Sequence, residues 1–553
     1  MSMGAQGSEH GAPGHPPATA PVARSRSLVR AVGLLLVAGL LTAALPAVLP
    51  AGVGGQAAPA VAQEGTGSAG GDGLAAAAAD DEVLTVMSRN LYLGADVAIA
   101  LELLPDMPAA AQFMWEQVAA TDLDARVGLL AAEVVDDEPA VIGLQEATRW
   151  RCRPGNLGRV VTVYDFTTAF LDATRAAGVP YVVATAGGDD ALQGGYRIPA
   201  LPWLSRVEDP ATFQPRFGTD TASCGFDLAD ALLVREDLAQ RVVAAGGRHL
   251  ADRYSVVPTV LTIDRGYAWA DLALEGGTVR FVTTHLEALW DPDEVPHSAR
   301  QAGQLLDDLA DTTTPVVLLG DINADPRDPR GPEVANPALQ PESSAACPAQ
   351  VNDPEPGTAL GGCNAYWTLR QGGFEDAGPD PLDSANLTWG TSAELAGPDL
   401  ARLDAALEMG NPAGFTDRLD YVLYRGGIEV VDARIIGNRW PDSDQLWPCD
   451  APTQVADGRA AAERLVAAGV LDEVLQELGC LPSDHAGVVA ELAIAPTGLE
   501  AAAPPPTRWR SPIGVWSGVG LLLLALLVWR VWRWVRPRRA WPVGGDTTPA
   551  ADR

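Results

Sequence analysis

Ser483-Asp484-His485-Ala486-Gly487-Val488-Val489-Ala490 hangs a polar cluster on the end of an apolar, β-branched run. Other clusters upstream share that design. Ser88-Arg89-Asn90 follows Leu84-Thr-Val-Met, Gln145-Glu146 follows Ala140-Val-Ile-Gly-Leu, and Thr284-His285 follows Val279-Arg-Phe-Val-Thr. Asp321-Ile-Asn323 follows Pro315-Val-Val-Leu-Leu-Gly, and Asp420 lies in a further strand pattern, Leu419-Asp-Tyr-Val-Leu-Tyr. Short apolar runs bounded by polar residues read as buried strands. Strands that end in Asn, Glu, His and Asp at one sheet edge would build one site.

Working outward, Asp122 to Val135 places Leu123, Val127, Leu130 and Val134 on one helical face, with Thr121 or Asp122 available as a cap. The chain then turns through Asp136-Asp-Glu-Pro into the strand Ala140 to Leu144. The same unit recurs where the helix Arg300 to Leu309 leads through Thr-Thr-Thr-Pro into Val316 to Leu319. Between Tyr254 and Thr284 two alternating strands flank Glu275-Gly-Gly, a hairpin signal. Alternating strands and helices predict an α/β (α+β) domain over 83–495. Insertions are expected near 187–224, 324–415 and 438–481, the last with a helix from Gly458 to Leu478. Insertions of that length usually carry function or decoration.

The balance is acidic, with 71 Asp and Glu against 38 basic residues and a formal charge of −33. Every basic residue is arginine, which excludes lysine-based mechanisms. An acidic surface repels phosphate backbones and argues against a high-affinity DNA binder. It leaves room for an enzyme that screens its substrate with metal ions.

Arg24, Arg26 and Arg30 precede the apolar run Ala31 to Leu49, a signal peptide or signal anchor within residues 1–62. A flexible linker is expected over 63–82. After a proline-rich linker at 496–511, the apolar run Ile513 to Trp529 reads as a membrane helix within 512–534. Arginines at 530, 533, 536, 538 and 539 lead into a basic cytoplasmic tail at 535–553. The expectation is a protein of the cell membrane, single-pass or two-pass if the first segment stays, with its body outside. Cys152, Cys224, Cys347, Cys363, Cys449 and Cys480 fit an oxidising compartment. Short loop closure favours Cys347–Cys363 and Cys449–Cys480, which leaves Cys152–Cys224.

Singly, each polar cluster has a bland reading. A lone Asp or Asn at a strand end is usually a turn former, Glu146 could pair with Arg149, and His285 could be a satisfied core histidine. As a set they offer oxygen ligands and histidines with no cysteine or lysine. That suits magnesium, manganese or calcium, and hydrolysis of a phosphoester by activated water.

These motifs, in this order over residues 83 to about 495, resemble the endonuclease/exonuclease/phosphatase superfamily, which includes deoxyribonuclease-I-like nucleases and neutral sphingomyelinases. The resemblance implies a four-layer α/β/β/α sandwich of two mixed sheets. It implies that Glu146 ligates a divalent cation, with Asn90 beside it and Asp484 supporting the metal or its waters. By the same resemblance Asp321 orients and deprotonates the attacking water, and Asn323 binds a phosphate oxygen. His485, held by Asp420, stabilises the charged transition state, and His285 contacts phosphate or protonates the leaving oxygen. The expected activity is hydrolysis of a phosphodiester, with a phospholipid or small phosphodiester favoured. The alternatives are an extracellular nuclease and a non-catalytic surface binding module. Nothing calls for an obligate protein partner.

Overall fold

The structure is a computed structural model that describes most of residues 82–495. The longest stretches outside the description within that span are 186–194, 209–220, 330–345 and 348–361. The expected leader, both linkers, the apolar runs at 31–49 and 513–529 and the basic tail lie outside the described residues. Among the described residues, no helix is long and apolar enough to cross a membrane.

The strands in chain order are β1 Glu82–Asn90, β2 Val141–Gln145, β3 Arg149–Pro154, β4 Val161–Asp165, β5 Tyr181–Val183 and β6 Gly195–Leu201. They continue as β7 Arg206–Glu208, β8 Thr221–Arg235, β9 Val242–Val257, β10 Leu261–Leu274 and β11 Gly277–His285. The last are β12 Val316–Asp321, β13 Glu375–Asp376, β14 Asp420–Arg425, β15 Ile428–Ile436 and β16 Gly487–Ile494. One sheet runs β15-β16-β1-β2-β8-β3-β4, with β5, β6 and β7 also paired to β8; the other runs β13-β14-β12-β11-β10-β9. Both are mixed: β1–β2 and β11–β12 are parallel, and their other neighbours are antiparallel.

The two sheets pack face to face. Val86, Val141, Leu232, Val488 and Leu492 of the first meet Leu272, Phe281, Val317, Leu319 and Val422 of the second. The outer face of the first sheet is covered by helices Met107–Ala120, Leu123–Asp137 and Phe166–Ala176, through Trp115, Leu130, Val134 and Phe170. Helices His297–Asp308 and Ala365–Gln371 cover the second sheet through Ala302, Leu305 and Trp367. This is the helix, sheet, sheet, helix order that the motifs imply. Each fully buried Leu, Val or Phe side chain contributes about 1.5–3 kcal/mol.

The Leu123–Asp137 helix starts where the pattern predicts. The Asp122 carboxylate accepts from Ala125 N at 3.3 Å, and Leu123, Val127, Leu130 and Val134 are buried. Elsewhere the sequence reading needs correction. The helix expected over Gly458–Leu478 is Gln454–Ala467, closed by Gly469 at φ 74°, a left-handed stop that suits glycine. The insertion at 187–224 is not simply loop: β6 and β7 pair with the 15-residue β8, which begins inside it. Cys152 and Cys224 sit directly opposite on β3 and β8 and form a disulfide, as do Cys347 and Cys363. Cys480 is also disulfide-bonded, and its expected partner Cys449 lies outside the described residues.

Candidate active site

Strand register gathers the polar ends. In the second sheet His285 on β11 lies opposite Asp321 on β12, and Asp321 lies opposite Asp420 on β14, so the three form one row. In the first sheet Asn90 at the end of β1 is paired with Gln145 at the end of β2, and Glu146 is one residue further. The Ser483-Asp484-His485 loop leads into β16 beside β1. There the Ser483 hydroxyl donates to the Asn90 carbonyl at 2.8 Å and accepts from His485 N at 3.2 Å.

The sheets must approach closely for these rows to meet, and Gly143 on β2 permits it. A Cβ there would stand 2.5 Å from Leu319 Cβ and 2.9 Å from Thr283 Oγ1. Next to it the Gln145 amide crosses between the sheets, donating to Thr283 Oγ1 at 3.0 Å and the Leu319 carbonyl at 3.4 Å. Asn90 then reaches over, and its Nδ2 donates to Asp321 Oδ2 at 3.0 Å.

That oxygen is the focus of the cluster. His285 Nε2 lies 3.5 Å and His485 Nε2 3.6 Å from Asp321 Oδ2, while Asp321 Oδ1 accepts from Asn323 N at 3.0 Å. Asn323, at φ 47°, donates its amide to the Leu286 carbonyl at 2.9 Å. His485 Nδ1 donates to Asp420 Oδ2 at 2.9 Å. Burial alone would lower the pKa of His485, but Asp420, then Asp321 and Asp484, raise it to about 10. At neutral pH it is an imidazolium. Burial, Arg265 and His485 push His285 the other way, well below its ordinary value, so it is neutral. Burial raises Asp321 to about 7.

Glu146, at φ 54°, accepts from Leu93 N at 2.5 Å through Oε2. Burial and then the neighbouring Asp484 charge raise it to about 7, and burial raises Asp484 as well. Asp484 Oδ1 is buried without a hydrogen-bond partner, as are Asp420 Oδ1 and His285 Nδ1. Two carboxylates that repel each other, one with an orphaned oxygen, are chemically suited to a hard divalent cation. Ligand atoms of Asp321, Asp420 and His485 also lie within 4.8 Å of one another. His485 Nδ1 and Asp420 Oδ2 are engaged with each other, and the positive charge of His485 disfavours a cation beside it, so Glu146 and Asp484 are the better donors for a cation.

All the sequence-predicted residues therefore converge. Glu146 does not pair with Arg149, whose guanidinium bonds Asp227 at 2.8 Å instead. His285 is not a satisfied core histidine, since its Nδ1 has no partner.

Sequence reasoning missed the frame behind the site. Buried Arg89 makes a two-pronged pair with Glu133 at 2.8 and 2.9 Å and donates its third nitrogen to the His485 carbonyl. Buried Arg126 donates to the carbonyls of Thr121 (2.7 Å), Leu91 and Pro482 (both 2.8 Å), tying the loop after β1 to the loop before His485. It also missed Trp389, which bridges to His485 with ring centroids 6.4 Å apart, and Arg402, whose guanidinium lies 4.2 Å over that ring. The only local signal was Thr388-Trp389 closing an apolar step inside a Pro/Gly-rich stretch.

The model of the endonuclease/exonuclease/phosphatase family matches residues 113–485. No curated protein sequence matches the chain. Similar solved structures include an endonuclease/exonuclease/phosphatase family protein from Bacteroides thetaiotaomicron, at 13% identity and TM-score 0.37, covering 75% of this chain and 98% of that one. A mannosyl-6-phosphatase from the same organism is 14% identical at TM-score 0.36, covering 74% and 100%. The human Nocturnin catalytic domain with bound sulfate is 13% identical at TM-score 0.31, covering 74% and 93%. With its motifs matched over most of its length and its strand-end residues gathered in one cluster, the chain belongs to the endonuclease/exonuclease/phosphatase family and is a metal-dependent phosphoric ester hydrolase.

Proposed function

We propose that the chain hydrolyses phosphodiesters, with a phospholipid or small phosphodiester preferred over nucleic acid, on the outer side of a membrane. The observation that carries the chemistry is His485, held as a cation by Asp420 next to Asp321 and across from Glu146 and Asp484. A charged donor fixed in a buried site stabilises the extra negative charge of a phosphoryl transition state. When bound, a divalent cation held by Glu146 and Asp484, with Asn90 beside them, supplies Lewis-acid stabilisation of the phosphoryl oxygens. Asp321 accepts the proton of the attacking water, and a pKa near 7 suits a base working at neutral pH. Asn90 and Asn323 hold the Asp321 carboxylate in place. His285, neutral, fits a contact to phosphate better than proton donation to the leaving group. Every described cysteine is oxidised, and no side chain in the cluster is an activated nucleophile.

The outward, anchored placement rests on the apolar run Ile513 to Trp529 with arginines on its C-terminal flank. The disulfides at Cys152–Cys224 and Cys347–Cys363 support it, because such bonds persist in oxidising compartments. The test is a substrate panel of sphingomyelin, phosphoinositides, a chromogenic phosphodiester, DNA and RNA with magnesium, manganese or calcium. Chelator-sensitive turnover of a lipid or small diester is expected. Faster turnover of nucleic acid would reverse the substrate preference, and turnover undiminished in excess chelator would remove the mechanism.

A further inference from the structure

Asp420 and His485 belong to different sheets. Asp420 opens β14 of the second sheet and His485 leads into β16 of the first, so no strand ladder sets the 2.9 Å between His485 Nδ1 and Asp420 Oδ2. A pair divided in this way depends on whatever joins its two backbones. The inserted stretch 324–415 supplies such a joint at Thr388-Trp389. Trp389 forms a β-bridge to Asp417, just before β14, and another to His485, just before β16.

Thr388 does the joining and is fully buried. Its N–H donates to the Asp417 carbonyl at 2.7 Å, and its carbonyl accepts from Ala486 N, the residue after His485, also at 2.7 Å. Its hydroxyl oxygen accepts from Leu419 N at 2.9 Å and from Asp420 N at 3.1 Å. A hydroxyl has two acceptor lone pairs, and these two bonds use both. The reason lies at the edge of β14. β13 pairs with Leu423 and Tyr424 and stops short of Asp420, so the buried N–H groups of Leu419 and Asp420 take a side chain as acceptor instead. The branched Cβ of threonine restricts χ1 and so fixes the direction of the hydroxyl. Arg418 holds the other backbone group of Asp420, with Nε donating to its carbonyl at 2.7 Å.

We infer that Thr388 is a positioning residue for the reaction, a clamp that sets the Asp420 carboxylate against the His485 imidazole by holding both backbones at once. The inference rests on the reading of Asp420 and His485 as the pair that stabilises transition-state charge. Thr388 acts through that pair and not on the substrate.

The test uses the full-length protein in detergent micelles, with bis(p-nitrophenyl) phosphate and manganese. Thr388→Val keeps the shape of the side chain and the backbone bond to Ala486, and removes only the acceptor for Leu419 and Asp420. A displaced catalytic group costs rate more than affinity, so kcat should fall roughly 10- to 100-fold with KM within about 2-fold. Thr388→Ser, which restores the hydroxyl, should recover most of the loss. Thr388→Val combined with Asp420→Asn should be little slower than Asp420→Asn alone, because both changes act on one contact. A general loss of structure would multiply instead. A second readout needs no turnover. The Nδ1 proton of His485, held by a carboxylate, gives a far-downfield proton resonance that is assigned by its loss in Asp420→Asn. Thr388→Val should move it upfield or broaden it by exchange with water. Thr388→Ala, which removes the same acceptor without added bulk, takes over if circular dichroism finds Thr388→Val unfolded. Wild-type kcat in the Thr388 variant, effects that multiply in full with Asp420→Asn, or an unmoved His485 resonance overturns the inference. Wild-type kcat in Asp420→Asn overturns the catalytic reading of the pair instead, and the resonance alone then decides whether Thr388 positions it.

Discussion

Glu133→Ala is the sharpest probe of the frame behind the site. Arg89 and Glu133 are each only 1% exposed and face each other at 2.8 Å. Removing the carboxylate strands a buried guanidinium, which typically costs about 3–5 kcal/mol because the charge loses its counter-ion and cannot reach water. The loss should also reach the chemistry, since the third nitrogen of Arg89 holds the His485 carbonyl. The companion is Arg89→Met with Glu133→Leu, which replaces both charges with apolar groups of similar bulk. Such replacements are often neutral or stabilising, so most of the stability should return. Turnover should not, because nothing replaces the Arg89 hydrogen bond to the His485 carbonyl. The assay is guanidinium unfolding followed by circular dichroism, alongside kcat on a chromogenic phosphodiester. A loss below about 1 kcal/mol in Glu133→Ala, or full turnover in the double variant, would refute the reasoning.

Asp420→Asn removes the carboxylate that does most to raise the pKa of His485. Turnover should fall by about 10²–10³, and the alkaline limb of the pH–rate profile should move to lower pH; an unmoved limb would show that His485 is not the group titrating. Without metal, Glu146 and Asp321 keep their protons to about pH 7, whereas unfolded carboxyls lose them near 4. The stability that these two groups contribute without metal should therefore be fully present below pH 4 and be lost as pH rises through 7, and a divalent cation should reverse the trend by binding the ionised forms. Thermal melts at pH 5 and pH 8, with chelator and with magnesium, check both signs. Gly143→Val should destabilise by about 1–3 kcal/mol through overpacking against Leu319. It should also lower kcat by parting Asn90 from Asp321, and an unchanged kcat would show that the sheet spacing does not set the site.

The candidate site was legible because its signals are local. Asp321, His285, Glu146 and Asn90 each end a short apolar run, and a buried strand is one of the few patterns that periodicity and length expose together. The frame was not legible, because Arg89, Glu133 and Arg126 read as surface charges until their partners, tens to hundreds of residues away, are known. The same holds for β6 and β7, which lie in a Gly- and Pro-rich stretch and take strand form through pairing with β8. Arg402 was hidden for a further reason. It lies over the ring of Trp389, and no spacing rule links two residues across a loop of that length.

β16, the last strand described, lies between β15 and β1, and β1 is the first. The bond from Ser483 to the Asn90 carbonyl joins positions 393 residues apart. Between residues 321 and 485 a growing chain therefore carries Glu146, His285 and Asp321 with no His485 to complete them. Closure must wait for a pairing of very long sequence separation, the slowest kind to find. An enzyme able to cut phosphate esters is thereby inert until its last strand has been made. A product that stops short of residue 487 would be a sheet missing an interior strand, with nothing to catalyse.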